Sequence, residues 1–151
     1  MNQNDPRYAA YLRILAEELV PAMGCTEPIS ISFCAAKARE LLGTLPEAIT
    51  VAASGNIIKN VKSVVVPNTG GRKGIEPAAA VGVVAGDPNR ELEVIASVTP
   101  EQREALCHYL ETTPIQVLPA DTDLVLDVTV TVQGGGHTAS VRVANQHTNI
   151  V

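Results

Sequence analysis

Leu124-Val125-Leu126-Asp127-Val128-Thr129-Val130-Thr131-Val132, followed by Gln133-Gly134-Gly135-Gly136, is the stretch that decides the class of fold. Leu124, Leu126, Val128, Val130 and Val132 alternate with polar or smaller partners. A period of two places them on one face of a half-buried strand. Residues 133–136 have the composition of a turn, and residues 139–144 return as the second arm of a β-hairpin.

Upstream of the hairpin the pattern is mostly helical. Asp5 is a plausible N-cap with Pro6 at the first helical position, and Tyr8, Leu12, Leu15 and Leu19 form one apolar stripe over residues 5–20. Pro21 stops that helix. A second helix follows the connector Ala22-Met23-Gly24-Cys25, with Thr26 as its cap, Pro28 in its first turn and Gly43 at its end. Its small residues, among them Ser30, Ser32, Ala35, Ala36 and Ala38, predict close packing against another element. Residues 48–53 read as a strand and 61–66 as an extended segment, with a polar loop over 54–60 between them. A turn at Pro67-Asn68-Thr69-Gly70-Gly71 leads into a small-residue helix over 76–85, and residues 92–96 suit one further helical turn. Thr99-Pro100-Glu101-Gln102 is a capping-box start for a helix reaching residue 111, and residues 115–118 suit a short strand. Helices first, mixed elements next and a hairpin last make the class α+β: N-terminal helices packed with a small mixed sheet.

The composition restricts function. The chain has 151 residues, 46% of them hydrophobic, which suffices for one domain over residues 1–151 with a sizeable core. A net charge of −5 with scattered basic residues argues against nucleic acid, which wants a clustered basic face. Only 3% of the residues are aromatic, too few for a surface that stacks bases or sugars. No run approaches the roughly 18 apolar residues of a membrane span, and residues 1–7 do not open a signal peptide. Three cysteines at wide spacing do not make a disulfide framework, so a cytoplasmic setting with free thiols is expected.

Gly24-Cys25-Thr26-Glu27-Pro28 carries the strongest chemical signal. A thiol just before a helix N-terminus should have a lowered pKa and act as nucleophile or metal ligand. The same N–H groups could instead hold a substrate carboxylate, and the plain alternative is a small buried hydrophobe at a helix start. Cys34 and Cys107 sit in helices beside apolar neighbours, where a free cysteine is usually core packing. The absence of any Cys-x-x-Cys argues against a self-contained zinc or iron–sulfur site. Asn56, Lys59 and Asn60 gather on one predicted loop, and Thr69 and Gly70 on the next turn. Together they could bind the carboxylate and amine of an amino acid; otherwise they are two solvated turns. His137 follows three glycines and is expected to be exposed, whereas His147 could serve as acid, base or ligand.

Four motifs in order, Gly24-Cys25-Thr26-Glu27-Pro28, Asn56-Ile57-Ile58-Lys59-Asn60, Val66-Pro67 with Thr69-Gly70, and His147-Thr148-Asn149-Ile150-Val151, resemble the iron–sulfur-dependent L-cysteine desulfidases. That group is related to the L-serine dehydratase alpha chain, and the resemblance runs from about Tyr11 to Val151. It implies that this chain is the N-terminal portion of a longer lyase, which eliminates sulfide or water and ammonia from L-cysteine or L-serine to give pyruvate. It implies a [4Fe-4S] cluster in the full-length protein and none in this fragment, which on its own would be inactive. It assigns catalytic roles to Cys25, Glu27 and Lys59, with Cys25 also a metal ligand. Substrate contacts fall to Thr26, Asn56, Asn60, Thr69, Gly70, His147, Thr148 and Asn149. Asn145-Gln146 departs from the Gly-Gly pair that family members often carry before the His-Thr-Asn-Ile motif.

The partners expected on this reading are a small amino-acid substrate and the C-terminal domain of the same protein, with a homodimer left open. A rival reading is an amino-acid-binding regulatory module without catalysis of its own. A second rival is a structural fragment with neither activity nor ligand. Whether cysteine or serine is the substrate does not follow from the sequence.

Overall fold

A computed structural model describes residues 3–18 and 25–151. Its elements run α1 (Pro6–Glu18), α2 (Thr26–Leu42), β1 (Ala48–Ala53), α3 (Gly55–Val61), α4 (Ile75–Ala85), α5 (Pro100–Thr112), β2 (Ile115–Pro119), β3 (Asp127–Gly134) and β4 (His137–Ala144). This is an α+β fold whose last two strands form the hairpin. The four-stranded sheet has the order β2-β1-β3-β4. β1 and β2 are parallel and joined through α3, α4 and α5, while β1–β3 and β3–β4 are antiparallel.

Alternation in the strands sets which face is covered. Ile49, Val51 and Ala53 of β1, Val128, Val130 and Val132 of β3, and Val141 and Val143 of β4 are all buried. Helices α2 and α4 pack against each other, and α2 also lies on β3 and β4. The other face is polar, with Thr50, Thr131 and Ser140 among its residues; Thr131 Oγ1 and Ser140 Oγ are hydrogen-bonded at 3.0 Å.

The small residues of α2 do bring a second helix close. A methyl added at Gly82 of α4 would stand 2.3 Å from the Ser32 carbonyl oxygen, so only glycine permits this approach. Ser32 Oγ donates to the Ala78 carbonyl at 2.6 Å across the same contact. Such contact encloses the middle of α2, with Ile29, Ile31, Cys34 and Ala35 at 0% exposure.

Several local expectations hold. Asp5 Oδ1 accepts the Arg7 backbone N–H at 2.9 Å, as a helix cap should. Gly43 closes α2 in the left-handed conformation, φ 82°. Thr99 and Gln102 form the reciprocal capping box of α5. The end of the first helix at Pro21 and the connector 22–24 lie outside the described residues. Where described, the apolar stripe of α1 is not buried: Leu12 and Leu15 are about half exposed.

Other expectations need correction. The polar loop over 54–60 is the helix α3, because Ile57 and Val61, four residues apart, both sink into the core. The extended segment at 61–66 is reduced to an isolated bridge between Val65 and Lys73. The hairpin strand begins at Asp127, not Leu124, because residues 124–126 are held off the ladder by bonds to Ser54 and Asn145. Its turn narrows to Gly135-Gly136, both at positive φ (58° and 77°), as a two-residue hairpin turn requires. The helical turn at 92–96 is a short 3-10 helix over Glu91–Glu93. Cys25, not Thr26, occupies the N-cap position of α2.

Candidate functional site

One end of the sheet gathers the chemistry. β1 ends at Ala53, whose register partner is Val128 near the start of β3, and Asp127 pairs with Ala144 at the end of β4. The chain leaving β1 enters α3 at once, and the chain leaving β4 turns through Asn145 at φ 70°. The N-terminus of α2 meets that turn. Thr26 Oγ1 and His147 Nε2 are 3.1 Å apart, and Ser30 Oγ donates to the His147 carbonyl at 2.6 Å. Residues from the first and last motifs thus form one structure.

Between these elements lies a cleft of about 450 Å³. Its polar lining is Glu27, Asn56, Asp123, Asn145 and His147, and its apolar lining includes Ile57 and Leu126. Cys25 stands beside it, its Sγ donating to Glu27 Oε2 at 3.1 Å. Sequence reasoning missed Asp123, which lies in no recognisable motif, and noted Asn145 only as a departure from the family pattern, not as a site residue. Asp123 has no signal of its own; only its neighbours' bonds to Ser54 and Asn145 place it there.

The thiol behaves differently from the expectation of a lowered pKa. Partial burial pushes the Cys25 pKa up, and the hydrogen bond to Glu27 and that carboxylate's charge push the same way. Bonds from backbone N–H groups at the helix start pull it down but do not win. The Cys25 hydrogen bond in turn holds the Glu27 carboxyl below its ordinary value. Glu27 therefore stays ionised and Cys25 stays a thiol. The helix start alone does not make a thiolate when its second residue is a carboxylate in reach.

The remaining predicted residues divide. Asn56 lines the cleft, whereas Lys59 and Asn60 lie farther along α3, exposed and outside the lining. Thr69 is buried and spends its hydroxyl on the turn, donating to Val66 O at 2.7 Å and accepting the Arg72 N–H at 3.2 Å. Gly70 serves the same turn at φ 75°. Asn149 donates to Ala144 O at 2.9 Å, tying the terminal turn to β4. Thr148 follows His147 in that turn, half-buried. His137 is exposed at the far end of the hairpin.

The donor set bears on an iron–sulfur cluster. Such clusters take three or four cysteine thiolates. Cys34 is fully buried, its Sγ 3.0 Å from the Val141 carbonyl and its pKa pushed up to about 12 by burial. Cys107 sits on α5, which contributes nothing to the cleft lining. Among the described residues no group of three or more His, Cys, Asp or Glu side chains could hold a metal ion. Among the described residues the side chains do not fit a complete cluster; Cys25 is the one exposed cysteine, and it stands beside the cleft.

Comparison with known proteins bears on what lies beyond. Over its 151 residues the chain is 50% identical to a UPF0597 protein of Desulfitobacterium hafniense. It is 44% identical over the same length to one of Treponema denticola, and 49% identical over 142 residues to one of Finegoldia magna. The chain is similar to UPF0597 proteins. It covers 35%, 35% and 34% of those relatives' lengths, so it spans about a third of each. No family model and no solved structure matches the chain. Among the described residues no helix is long and apolar enough to cross a membrane.

Proposed function

We propose that this chain is the substrate-handling portion of a longer iron–sulfur-dependent lyase, which eliminates sulfide or water, and ammonia, from a small β-substituted amino acid. The observation that carries this reading is the joining of Cys25-Thr26-Glu27 to His147, with Asn56 on the same cleft. Distant motifs that converge on one concavity with acid–base side chains are the pattern expected of an active site. Cluster ligands beyond Cys25 would come from outside this chain.

Elimination needs a base for the α-proton and an acid for the leaving group. With Nε2 engaged by Thr26, the His147 ring presents Nδ1, which makes no hydrogen bond among the described residues. In this reading Nδ1 accepts the α-proton, the Cβ–S bond breaks with its electron pair leaving on sulfur, and His147 returns that proton to the departing sulfide. The enamine left behind tautomerises to the imine, and water releases pyruvate and ammonia. Asn56 offers directional donors and an acceptor for orienting the substrate.

The test is product formation by the full-length protein, purified and assayed anaerobically with L-cysteine and L-serine. Pyruvate and ammonia released in equal amounts support the reading. Amino-acid binding without pyruvate from either substrate assigns the chain to the regulatory-module alternative.

A further inference from the structure

We infer that Asp123 is the specificity-determining residue that binds the substrate's α-ammonium group, an inference that rests on the amino-acid reading of the cleft above. Among the described residues Glu27 and Asp123 line the cleft and no lysine or arginine does, so the cleft favours a ligand that brings a positive charge. Lys59, whose sequence position suggests a partner for the substrate carboxylate, is outside the lining. Recognition at this cleft therefore starts from the amine.

The two carboxylates differ in what engages them. Glu27 is engaged by the Cys25 thiol at 3.1 Å. Asp123 makes no hydrogen bond and no ion pair among the described residues, so its carboxylate is available to a ligand. A charge-assisted hydrogen bond to an ammonium is among the stronger polar contacts a protein can offer.

The backbone beside Asp123 is held by hydrogen bonds. The Leu124 N–H bonds to Thr122 Oγ1 at 3.2 Å. The Val125 carbonyl accepts from the buried Ser54 hydroxyl at 2.7 Å, and the Leu126 carbonyl from the Asn145 N–H at 3.0 Å. Ser54 stands at the start of α3 and Asn145 in the turn that carries His147. The backbone next to Asp123 is thus tied to the same two elements that supply Asn56 and His147, while its exposed carboxylate stays available to a ligand. A positioned charge spends little ordering entropy on binding.

The experiment uses the full-length protein under anaerobic conditions, in three forms: wild type, Asp123→Asn and Asp123→Glu. Asp123→Asn is expected to raise KM for L-cysteine by roughly tenfold to a hundredfold with kcat within about threefold. Asp123→Glu should recover most of that loss. The amine-free analogue 3-mercaptopropionate should bind Asp123→Asn no more weakly than wild type, a result that a merely structural role for Asp123 would not give. An unchanged KM, or an equal loss of affinity for cysteine and for the amine-free analogue, overturns the inference. If the wild type forms no pyruvate, the lyase reading fails by itself, and calorimetric titration with L-serine decides this one. Weaker binding by Asp123→Asn supports it; equal binding, or no binding by wild type, overturns it.

Discussion

Thr26 Oγ1 and His147 Nε2 lie 3.1 Å apart although 121 positions separate them in the chain. This bond, with the one from Ser30 Oγ to the His147 carbonyl, locks the turn after β4 onto the start of α2. Replacing Thr26 with Val keeps the shape and removes the hydroxyl. The variant should lose about 1 kcal/mol of stability. It should lose considerably more in catalytic rate, because the imidazole ring is no longer oriented. Chemical denaturation paired with pyruvate assay of the full-length protein separates the two effects. Equal small losses in both would leave His147 a structural residue.

Cys25 and Glu27 make a second testable pair. Cys25 is exposed, Cys34 buried and Cys107 intermediate, so Cys25 should alkylate first. The raised thiol pKa means that labelling at neutral pH is slow and quickens as pH rises. Glu27→Gln removes the negative neighbour, lowers the Cys25 pKa and should speed labelling at pH 7 several-fold. Mass spectrometry after brief alkylation reads both effects. Slower labelling in Glu27→Gln would contradict the assigned hydrogen bond.

Much of the fold was legible because its signals are local. Period-two alternation gave β3, paired glycines gave its turn, and Thr99-Pro100-Glu101-Gln102 gave the start of α5. The helix α3 was not legible: Ser54-Gly55-Asn56 and Lys59-Asn60 have turn chemistry, and tertiary burial of Ile57 and Val61 overrides it. For the site, the sequence named Cys25, Thr26, Glu27, Asn56 and His147, which the fold brings together. It overreached at Thr69 and Gly70, whose composition is that of the turn they build. Asp123 was invisible, since only its neighbours' long-range hydrogen bonds put it on the cleft, and Asn145 stood out only as a departure from the family pattern.

The contact between α2 and α4 predicts a sharp stability effect. In Gly82→Ala the new methyl would meet the Ser32 carbonyl and the backbone behind it, neither of which can swing away. A loss of about 1–3 kcal/mol is expected. Thermal unfolding of the variant checks it; an unchanged midpoint would mean the helices are free to part.

Asp127 and Arg142 set an acid limit. Arg142 hydrogen bonds to the Asp127 carboxylate at 2.9 and 2.7 Å hold its carboxyl below the unfolded value of 3.8. A carboxyl whose folded pKa is depressed stabilises the fold above the unfolded pKa, and that contribution is lost as pH falls through the folded value. The effect is moderated because Arg142 is about half exposed. Wild type should therefore out-melt Asp127→Asn at pH 6, with the gap closing below about pH 4. A gap that persists or widens in acid would contradict the pairing.

An isolated 151-residue chain, reconstituted anaerobically with iron and sulfide, should hold far less than one cluster per chain, since one accessible thiol cannot replace three or four. Iron and sulfide analysis reads the outcome. A cluster bound in stoichiometric amount would overturn the assignment of Cys25 as the single ligand available here.

The central claim is that the joined motifs form an acid–base site for an amino acid. Its most direct test is the initial rate of pyruvate formation from L-cysteine by full-length wild type and full-length His147→Ala, measured side by side without oxygen. The account predicts turnover by the wild type and a loss of at least about a hundredfold in kcat for the variant, whose melting midpoint stays close to wild type. Equal rates, or a wild type that releases no pyruvate, would contradict it.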